Sequence, residues 1–107
     1  MEKLNYAMPG TIAPGAFDVI LVGVVGSGNL EVMVEPGFDA SSCTVDISTS
    51  ARGFAPIWEA VVTDFQSRHS LRAIAISIND MGATPAVVSL RLDQAVAALL
   101  LPKKATP

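Results

Sequence analysis

Ser27 lies between Gly26 and Gly28, in a glycine-rich stretch that follows an apolar segment. With no bulky neighbour, its hydroxyl is open to a modifying enzyme, and a group attached there would project away from the core. A modifying transferase supplies its own activation, so the lack of a nearby histidine argues against a catalytic serine but not against a modified one. The same letters also fit a hairpin turn in which Ser27 simply fills a tolerant position.

Two better-known glycine loops do not fit this stretch. Its glycines are spaced G-x-x-G-x-G rather than the G-x-G-x-x-G of a dinucleotide-binding loop. The following segment, Leu30–Val34, is strand-like, so no helix N-terminus is there to receive a pyrophosphate. A nucleophile elbow requires G-x-S-x-G leading into a helix. A small hydrolase built on Ser27 is disfavoured as well, because no plausible base lies near it in the sequence.

Few other side chains offer chemistry. The chain has one histidine and one cysteine. His69 is interpreted as a solvated or dipole-pairing residue at a helix end, and Cys43 as a buried, inert thiol. Asp46 is interpreted as a solvated strand residue, and no spacing of His, Cys or carboxylates matches a metal site. A single cysteine permits no internal disulfide, which agrees with a cytoplasmic protein.

Length and composition bound the remaining classes. The length of 107 residues predicts one domain over residues 1–107, and 50% hydrophobic against 16% charged residues indicates that it buries a core. A net charge of −3 without a basic stripe argues against nucleic acid as a partner. The longest apolar stretch, Val19–Val25, is too short to span a membrane, and the N-terminus lacks the pattern of a signal peptide. A mean hydropathy of +0.48 indicates that another protein covers part of the surface.

Five segments have the alternation or the β-branched composition of strands: Leu4–Met8, Asp18–Val25, Leu30–Val34, Cys43–Thr49 and Leu71–Ile78. The connection between the second and third predicts a β-hairpin with Ser27 near its tip, because its two glycines supply the positive φ angles of a tight turn. The residues from Asn79 to Ala83 are predicted to form a loop.

Two segments have helical periodicity. One apolar face is predicted on the first helix, which ends at His69 and Ser70: Phe54, Trp58, Val61, Val62 and Phe65. The second helix is predicted to begin with Thr84 as N-cap and to stop at Pro102, with an apolar face made by Val88, Leu92, Val96 and Leu99 or Leu100. The order β-β-β-β-α-β-α predicts an α+β two-layer sandwich, a mainly antiparallel sheet with both helices on one face.

Two stretches of the chain, Val22–Val32 and Ile78–Leu92, resemble the acyl-carrier (delta) subunit family of malonate decarboxylase. In that family the serine of the V-G-S-G segment carries a phosphoribosyl-dephospho-coenzyme A group in phosphodiester linkage, and the matching position is Ser27. By this resemblance Gly26 and Gly28 permit the turn and the close approach of the modifying enzyme. Many members have Asp after the second glycine, whereas this chain has Asn29.

The resemblance implies a non-catalytic carrier that holds malonyl and acetyl thioesters and moves them between acyl transferase and decarboxylase subunits, after loading by a holo-carrier synthase. The carrier subunit of citrate lyase, which has the same kind of arm, is the most similar in function. Common helical carriers place Asp-Ser-Leu at a helix start, and that tripeptide does not occur here. The alternative from another class is an unmodified interaction or scaffold domain, for which the high apolar fraction suffices.

The loop that runs from Asn79 to Pro85 has two interpretations. It is distinctive enough for a docking role toward partner subunits. Its residues are equally suited to local structure, with Asp80 or Asn79 bonding turn amides, Gly82 at positive φ and Thr84 capping the helix. Both interpretations stay open at this point.

Overall fold

The computed structural model describes residues 1–100 of the 107-residue chain. Its elements follow the predicted order: β1 Glu2–Pro9, β2 Ile20–Gly23, β3 Leu30–Pro36, β4 Ser42–Thr49, α1 Ala55–His69, β5 Ile74–Asp80 and α2 Pro85–Leu100. The predicted helix stop at Pro102 lies outside the described residues. Within those residues, neither helix is long and apolar enough to cross a membrane.

The strands form one sheet in the order β1-β4-β5-β3-β2. Three neighbouring pairs are antiparallel, and β4 and β5 are parallel. The parallel pair is joined by α1, because parallel neighbours need a long crossover connection. Helix α2 packs over β2 and β3, and α1 packs beside it toward β1. The predicted mainly antiparallel sheet with helices on one face is therefore confirmed.

Strand alternation places the core. The residues that point from the three central strands toward the helices are all buried: Leu30, Val32, Val34, Cys43, Val45, Ile47, Ile74, Ile76 and Ile78. The helices contribute Trp58, Val62, Phe65, Val88, Leu92, Val96 and Leu99. Full burial of one large aliphatic side chain stabilises a fold by about 1.5–3 kcal/mol. Burial also raises the pKa of the Cys43 thiol to about 12, which makes it the inert thiol that the sequence predicted.

The second strand is shorter than predicted. It begins at Ile20 rather than Asp18 and ends at Gly23 rather than Val25. Gly23 has a φ of 83°, and a Cβ built there would collide with the carbonyl oxygen of Leu30. The backbone therefore leaves the extended conformation at Gly23, although the apolar residues that follow look strand-like in sequence.

The fifth strand is shifted relative to the prediction. Ser70 and Ala73 have positive φ angles of 49° and 63°, so the chain turns after α1 and the strand begins at Ile74 instead of Leu71. At its other end the strand continues through Asn79 and Asp80, which were predicted to lie in a loop. Pairing of β5 with β3 over its whole length keeps these two residues extended.

The first helix starts one residue later than its predicted apolar face. Phe54 is the N-cap residue and 47% of its surface is exposed, so it is not a core residue. Helix α1 ends at His69, followed by Ser70 in the left-handed conformation that terminates many helices.

Asp93 links the two helices. Its carboxylate lies 2.9 Å from Nη1 of Arg68 and 3.0 Å from Nε2 of His69. The single histidine thus makes a specific contact with a carboxylate of the neighbouring helix. Burial alone would raise the pKa of Asp93, but the hydrogen bonds from His69 and Arg68 outweigh it and hold that pKa below its ordinary range.

We expect Asp93→Asn to lower the free energy of unfolding at neutral pH by about 1 kcal/mol or less, since the ion pairs are partly exposed and screened. A lowered native pKa means that the carboxylate stabilises the fold above its ordinary pKa of about 3.9, and that this contribution disappears as the pH falls through the native value. Urea unfolding at several pH values checks this. An equal loss at all pH values would contradict it. Asp64→Asn, whose one ion-pair partner among residues 1–100 is Arg68, serves as a control.

Candidate functional site

Ser27 is the second residue of a β-turn over Gly26 to Asn29. The turn is closed by a hydrogen bond of 3.0 Å from the Asn29 amide to the Gly26 carbonyl oxygen. It connects β2 to β3, which pair antiparallel, so the predicted hairpin is confirmed. Gly28 has a φ of 73°, which the third residue of a type II turn requires. Gly26 has no positive φ, so only one of the two flanking glycines is conformationally required.

The end of this turn is fixed to the chain segment after β5. The Gly28 amide donates to the carbonyl oxygen of Met81 at 2.8 Å, and the Met81 amide donates to that of Asn29 at 2.9 Å. Two residues therefore oppose one, with a glycine at positive φ in the first position, which is the geometry of a G1 β-bulge. The bulge extends the β3–β5 pairing past Leu30 and Asp80. It brings together the two stretches that the sequence singled out separately.

Asp80 holds the second stretch in place. Its side chain is 3% exposed, and its carboxylate accepts hydrogen bonds from Thr49 Oγ1 (2.8 Å) and from the amides of Gly82 (3.2 Å) and Ala83 (2.9 Å). Gly82 has a φ of 89°. These contacts are those that the structural interpretation of the loop requires.

The other two residues singled out in this loop differ in their contacts. Thr84 caps α2, since its Oγ1 accepts a hydrogen bond from the Val87 amide at 3.3 Å. Asn79 lies exposed on β5, and its side chain makes no hydrogen bond within residues 1–100. The turn amides are therefore bonded by Asp80 and not by Asn79.

Asn29 connects the turn to helix α2. Its Oδ1 accepts a hydrogen bond from the Leu30 amide at 2.8 Å and a longer one from Arg91 Nε at 3.4 Å. Arg91 also donates from Nη1 to Gln94 Oε1 at 2.9 Å. Both partners of Arg91 are neutral amides, and no carboxylate of the described residues forms an ion pair with it. A positive charge without an ionic partner thus lies beside the turn.

Arg91 was not among the site residues predicted from the sequence. The signal was present, because Arg91 is the one basic residue of α2 and falls within the second matching stretch. Its proximity to the Ser27 turn depends on the packing of α2 over β2 and β3, which no local pattern reveals.

The surroundings of Ser27 leave room for an attached group. Ser27 is exposed, and its hydroxyl makes no hydrogen bond to any residue from 1 to 100. A Cβ built on Gly26 or Gly28 would meet no atom within 4 Å. The space beside both neighbours of Ser27 is therefore open.

Neither the single cysteine nor the single histidine lies beside Ser27. Cys43 is buried and pairs with Ile74, at the end of the central strands that lies opposite the Ser27 turn. His69 ends α1 at that same far end. Within the described part of the chain no three His, Cys, Asp or Glu side chains group as metal ligands. The arrangement presents the Ser27 hydroxyl on a hydrogen-bonded turn.

Three exposed apolar side chains belong to the same two loops. Val24, Val25 and Met81 expose 69%, 45% and 38% of their surface. Exposed apolar side chains that form a contiguous patch are typical of protein–protein contacts.

An apolar groove of about 190 Å³ opens between the first turns of α1 and α2, at the end of the strands where the Ser27 turn lies. The residues that line it come from both helices and from the loops before them: Ala51, Phe54, Ile57, Trp58, Val61, Asp80, Gly82, Ala83, Pro85 and Val88. The sequence did not predict the groove, because Phe54 was assigned to the core instead of to its rim.

Comparison with known proteins identifies relatives of this chain. The family model described as malonate decarboxylase delta subunit (MdcD) matches residues 18–99. The chain is 62% identical over 97 residues to a malonate decarboxylase acyl carrier protein of Burkholderia cepacia, covering 91% of this chain and 89% of the relative. It is 56% identical over 101 residues to the protein of the same name from Stenotrophomonas maltophilia (strain R551-3), covering 94% and 95%.

A solved structure resembles the fold as well. A chain in the crystal structure of a Pseudomonas malonate decarboxylase hetero-tetramer in complex with malonate superposes with a TM-score of 0.84 at 38% identity. The match covers 92% of this chain and 99% of that chain.

Proposed function

Because the chain belongs to the malonate decarboxylase delta subunit family, we propose that Ser27 is the attachment site of its prosthetic arm, a 2'-(5''-phosphoribosyl)-3'-dephospho-coenzyme A group in phosphodiester linkage. The chain is an acyl carrier protein of malonate decarboxylase. We also propose that its role is non-catalytic and that it acts in the cytoplasm. The observation that carries it is the exposed Ser27 hydroxyl, unbonded to residues 1–100, at the corner of a turn with open space on both sides.

When bound, the arm supplies a terminal thiol that holds malonyl or acetyl groups as thioesters. Ser27 then acts only as an anchor, and the turn around it fixes the direction in which the arm leaves the protein. Gly28 and Asn29, held to Met81 by the bulge, keep this anchor from moving with a flexible loop. A tethered group visits several sites without being released, which raises its effective concentration at each.

Partner subunits have to approach this edge of the sheet. The partners that we propose are the acyl transferase and decarboxylase subunits and the holo-carrier synthase. Val24, Val25 and Met81 offer them exposed apolar contacts next to Ser27. In this proposal the loop with Asn79, Asp80, Gly82 and Thr84 contributes to docking through Met81 and through the fixed position that Asp80 gives the backbone.

The position and charge of Arg91 favour an arm that contains phosphates. Its guanidinium contacts the turn through Asn29 and has only neutral partners in the described residues, so it can receive a phosphate without first leaving a carboxylate. Hydrogen bonds between a charged donor and a charged acceptor are the stronger ones. We infer that Arg91 is a positioning residue for the phosphate groups during loading.

We expect Arg91→Gln to slow loading by the holo-carrier synthase about tenfold, the effect of losing one charged contact of roughly 1.4 kcal/mol. Loading of the natural chain should weaken with rising salt, whereas the variant should respond less. Arg91→Lys should restore part of the rate, and the free energy of unfolding should change by only about 0.5 kcal/mol. The rate of mass increase on the carrier measures loading.

A matched control for this experiment is Arg72→Gln. Arg72 precedes β5 at the opposite edge of the sheet and donates to the Ala40 carbonyl oxygen at 2.9 Å. Its loading rate should equal that of the natural chain. Equal slowing in both variants would show that Arg91 has no specific role.

The direct test of the proposed function is the intact mass of the chain isolated from cells that are decarboxylating malonate. We expect a mass increase equal to the phosphoribosyl-dephospho-coenzyme A group, and tandem mass spectrometry should assign it to the peptide containing Ser27. An unmodified Ser27 under these conditions would refute the arm and favour the alternative of an unmodified interaction domain.

A further inference from the structure

We propose that the apolar groove between α1 and α2 binds the acetylated end of the Ser27 arm and excludes the malonylated end. The inference rests on the proposed function, because it takes Ser27 as the anchor. It assigns a role to a part of the chain that the carrier function alone does not use.

The groove lies close to Ser27. The Gly28 amide bonds the Met81 carbonyl oxygen at 2.8 Å, and the next residue, Gly82, lines the groove. Consecutive Cα atoms are about 3.8 Å apart and hydrogen-bonded strand neighbours about 5.5 Å. The Cα atoms of Ser27 and Gly82 therefore lie within about 13 Å of each other. A long arm anchored at Ser27 reaches the groove from outside without any rearrangement of the backbone.

The groove matches an acetyl thioester in size and in polarity. A cavity of about 150 Å³ with aliphatic walls is known to bind a molecule as large as benzene. The groove has a volume of about 190 Å³, and its walls include Trp58, Val61 and Val88. An acetyl thioester has fewer heavy atoms than benzene and carries no charge, so it fits this space and buries apolar surface there.

The charge of Asp80 favours the acetyl group over the malonyl group. Asp80 lines the groove with a side chain that is 3% exposed, and its carboxylate is bonded by one hydroxyl and two amides. No cation of the described residues pairs with it. A malonyl thioester ends in a free carboxylate. In the groove this carboxylate would lose water next to the like charge of Asp80 and would find no partner. The groove thus distinguishes the two acyl groups by charge and leaves the malonyl group outside.

A synthetic arm tests the groove without depending on natural loading. In Ser27→Cys the new thiol is exposed, whereas Cys43 is buried with a raised pKa, so alkylation is selective for position 27. The variant is alkylated with an iodoacetamide derivative of pantetheine whose thiol carries a ¹³C-labelled acetyl or malonyl group, and mass spectrometry verifies a single adduct. Nuclear Overhauser effects are then measured from the label to the protein.

We expect the acetyl methyl group to contact the ring of Trp58, the only tryptophan, and the methyl groups of Val61 and Val88. The malonyl label should show these contacts at least tenfold more weakly at neutral pH. Ala51→Leu and, separately, Ala83→Leu should fill the groove and remove the acetyl contacts. Ala7→Leu, on the exposed face of β1, should leave them unchanged.

Three outcomes would overturn the proposal. The first is an acetyl label without contacts to the groove, and the second is equal contacts for acetyl and malonyl labels. The third is a groove whose resonances respond only to added partner subunits, which would assign it to docking. The proposed function fails separately, through an unmodified Ser27 in the natural carrier.

Discussion

The variant Ser27→Ala should accept no arm and should reduce malonate decarboxylation by the assembled complex at least about 1,000-fold. The covalent bond needs the hydroxyl, and the flanking residues Gly26 and Gly28 have no side chain to replace it. Loss of the tether removes the high effective concentration of the acyl group at each partner site. Intact mass after incubation with the synthase, and carbon dioxide release by the complex, measure the two effects.

The fold itself should not change in this variant. The Ser27 hydroxyl makes no hydrogen bond to residues 1–100, and the side chain is exposed, so the free energy of unfolding should stay within about 0.5 kcal/mol. Ser67→Ala, on the exposed surface of α1, is the matched control and should load fully. If Ser27→Ala still gained the mass of the arm, another residue would be the anchor.

The variant Asp80→Ala should lower the free energy of unfolding by about 2–4 kcal/mol. It removes the acceptor of three hydrogen bonds, so the Thr49 hydroxyl and the amides of Gly82 and Ala83 lose the carboxylate to which they donate. Since Met81 is bonded to Gly28 and Asn29, the Ser27 turn should lose order too. Urea unfolding gives the first effect, and hydrogen exchange of the Gly28 amide gives the second.

Two further variants serve as comparisons for Asp80→Ala. Asp80→Asn keeps one acceptor oxygen and should have an intermediate effect. Asp46→Ala removes a carboxylate from the exposed face of the neighbouring strand β4 and should cost less than about 0.5 kcal/mol. A loss below about 1 kcal/mol for Asp80→Ala would show that the loop is held mainly by the backbone pairing.

Most of the fold follows from local patterns in the sequence. The alternation in β3 and β4 gave their buried faces, and the period of α2 gave Val88, Leu92 and Leu99. The errors lie where pairing or a backbone angle overrides composition. Residues Asn79 and Asp80 are extended because β3 pairs with them, a contact between distant parts of the chain.

The candidate site was predictable only in part. The glycines around Ser27 indicated a turn, and the resemblance indicated its chemistry. That Met81 is bonded to Gly28, and that Arg91 reaches Asn29, depends on tertiary packing. The groove was missed for a similar reason, since an apolar residue such as Phe54 looks the same in sequence whether it fills a core or lines a groove.

The bulge between Gly28 and Met81 also bears on when the carrier can be loaded. Its two halves are about fifty residues apart along the chain, so the turn around Ser27 acquires its final shape only after β5 has emerged from the ribosome and docked. Long-range pairings of this kind form late, because the entropy of closing the loop must be overcome first. A synthase that recognises the finished turn would therefore not modify nascent or misfolded chains, and prosthetic groups would be attached only to folded carriers.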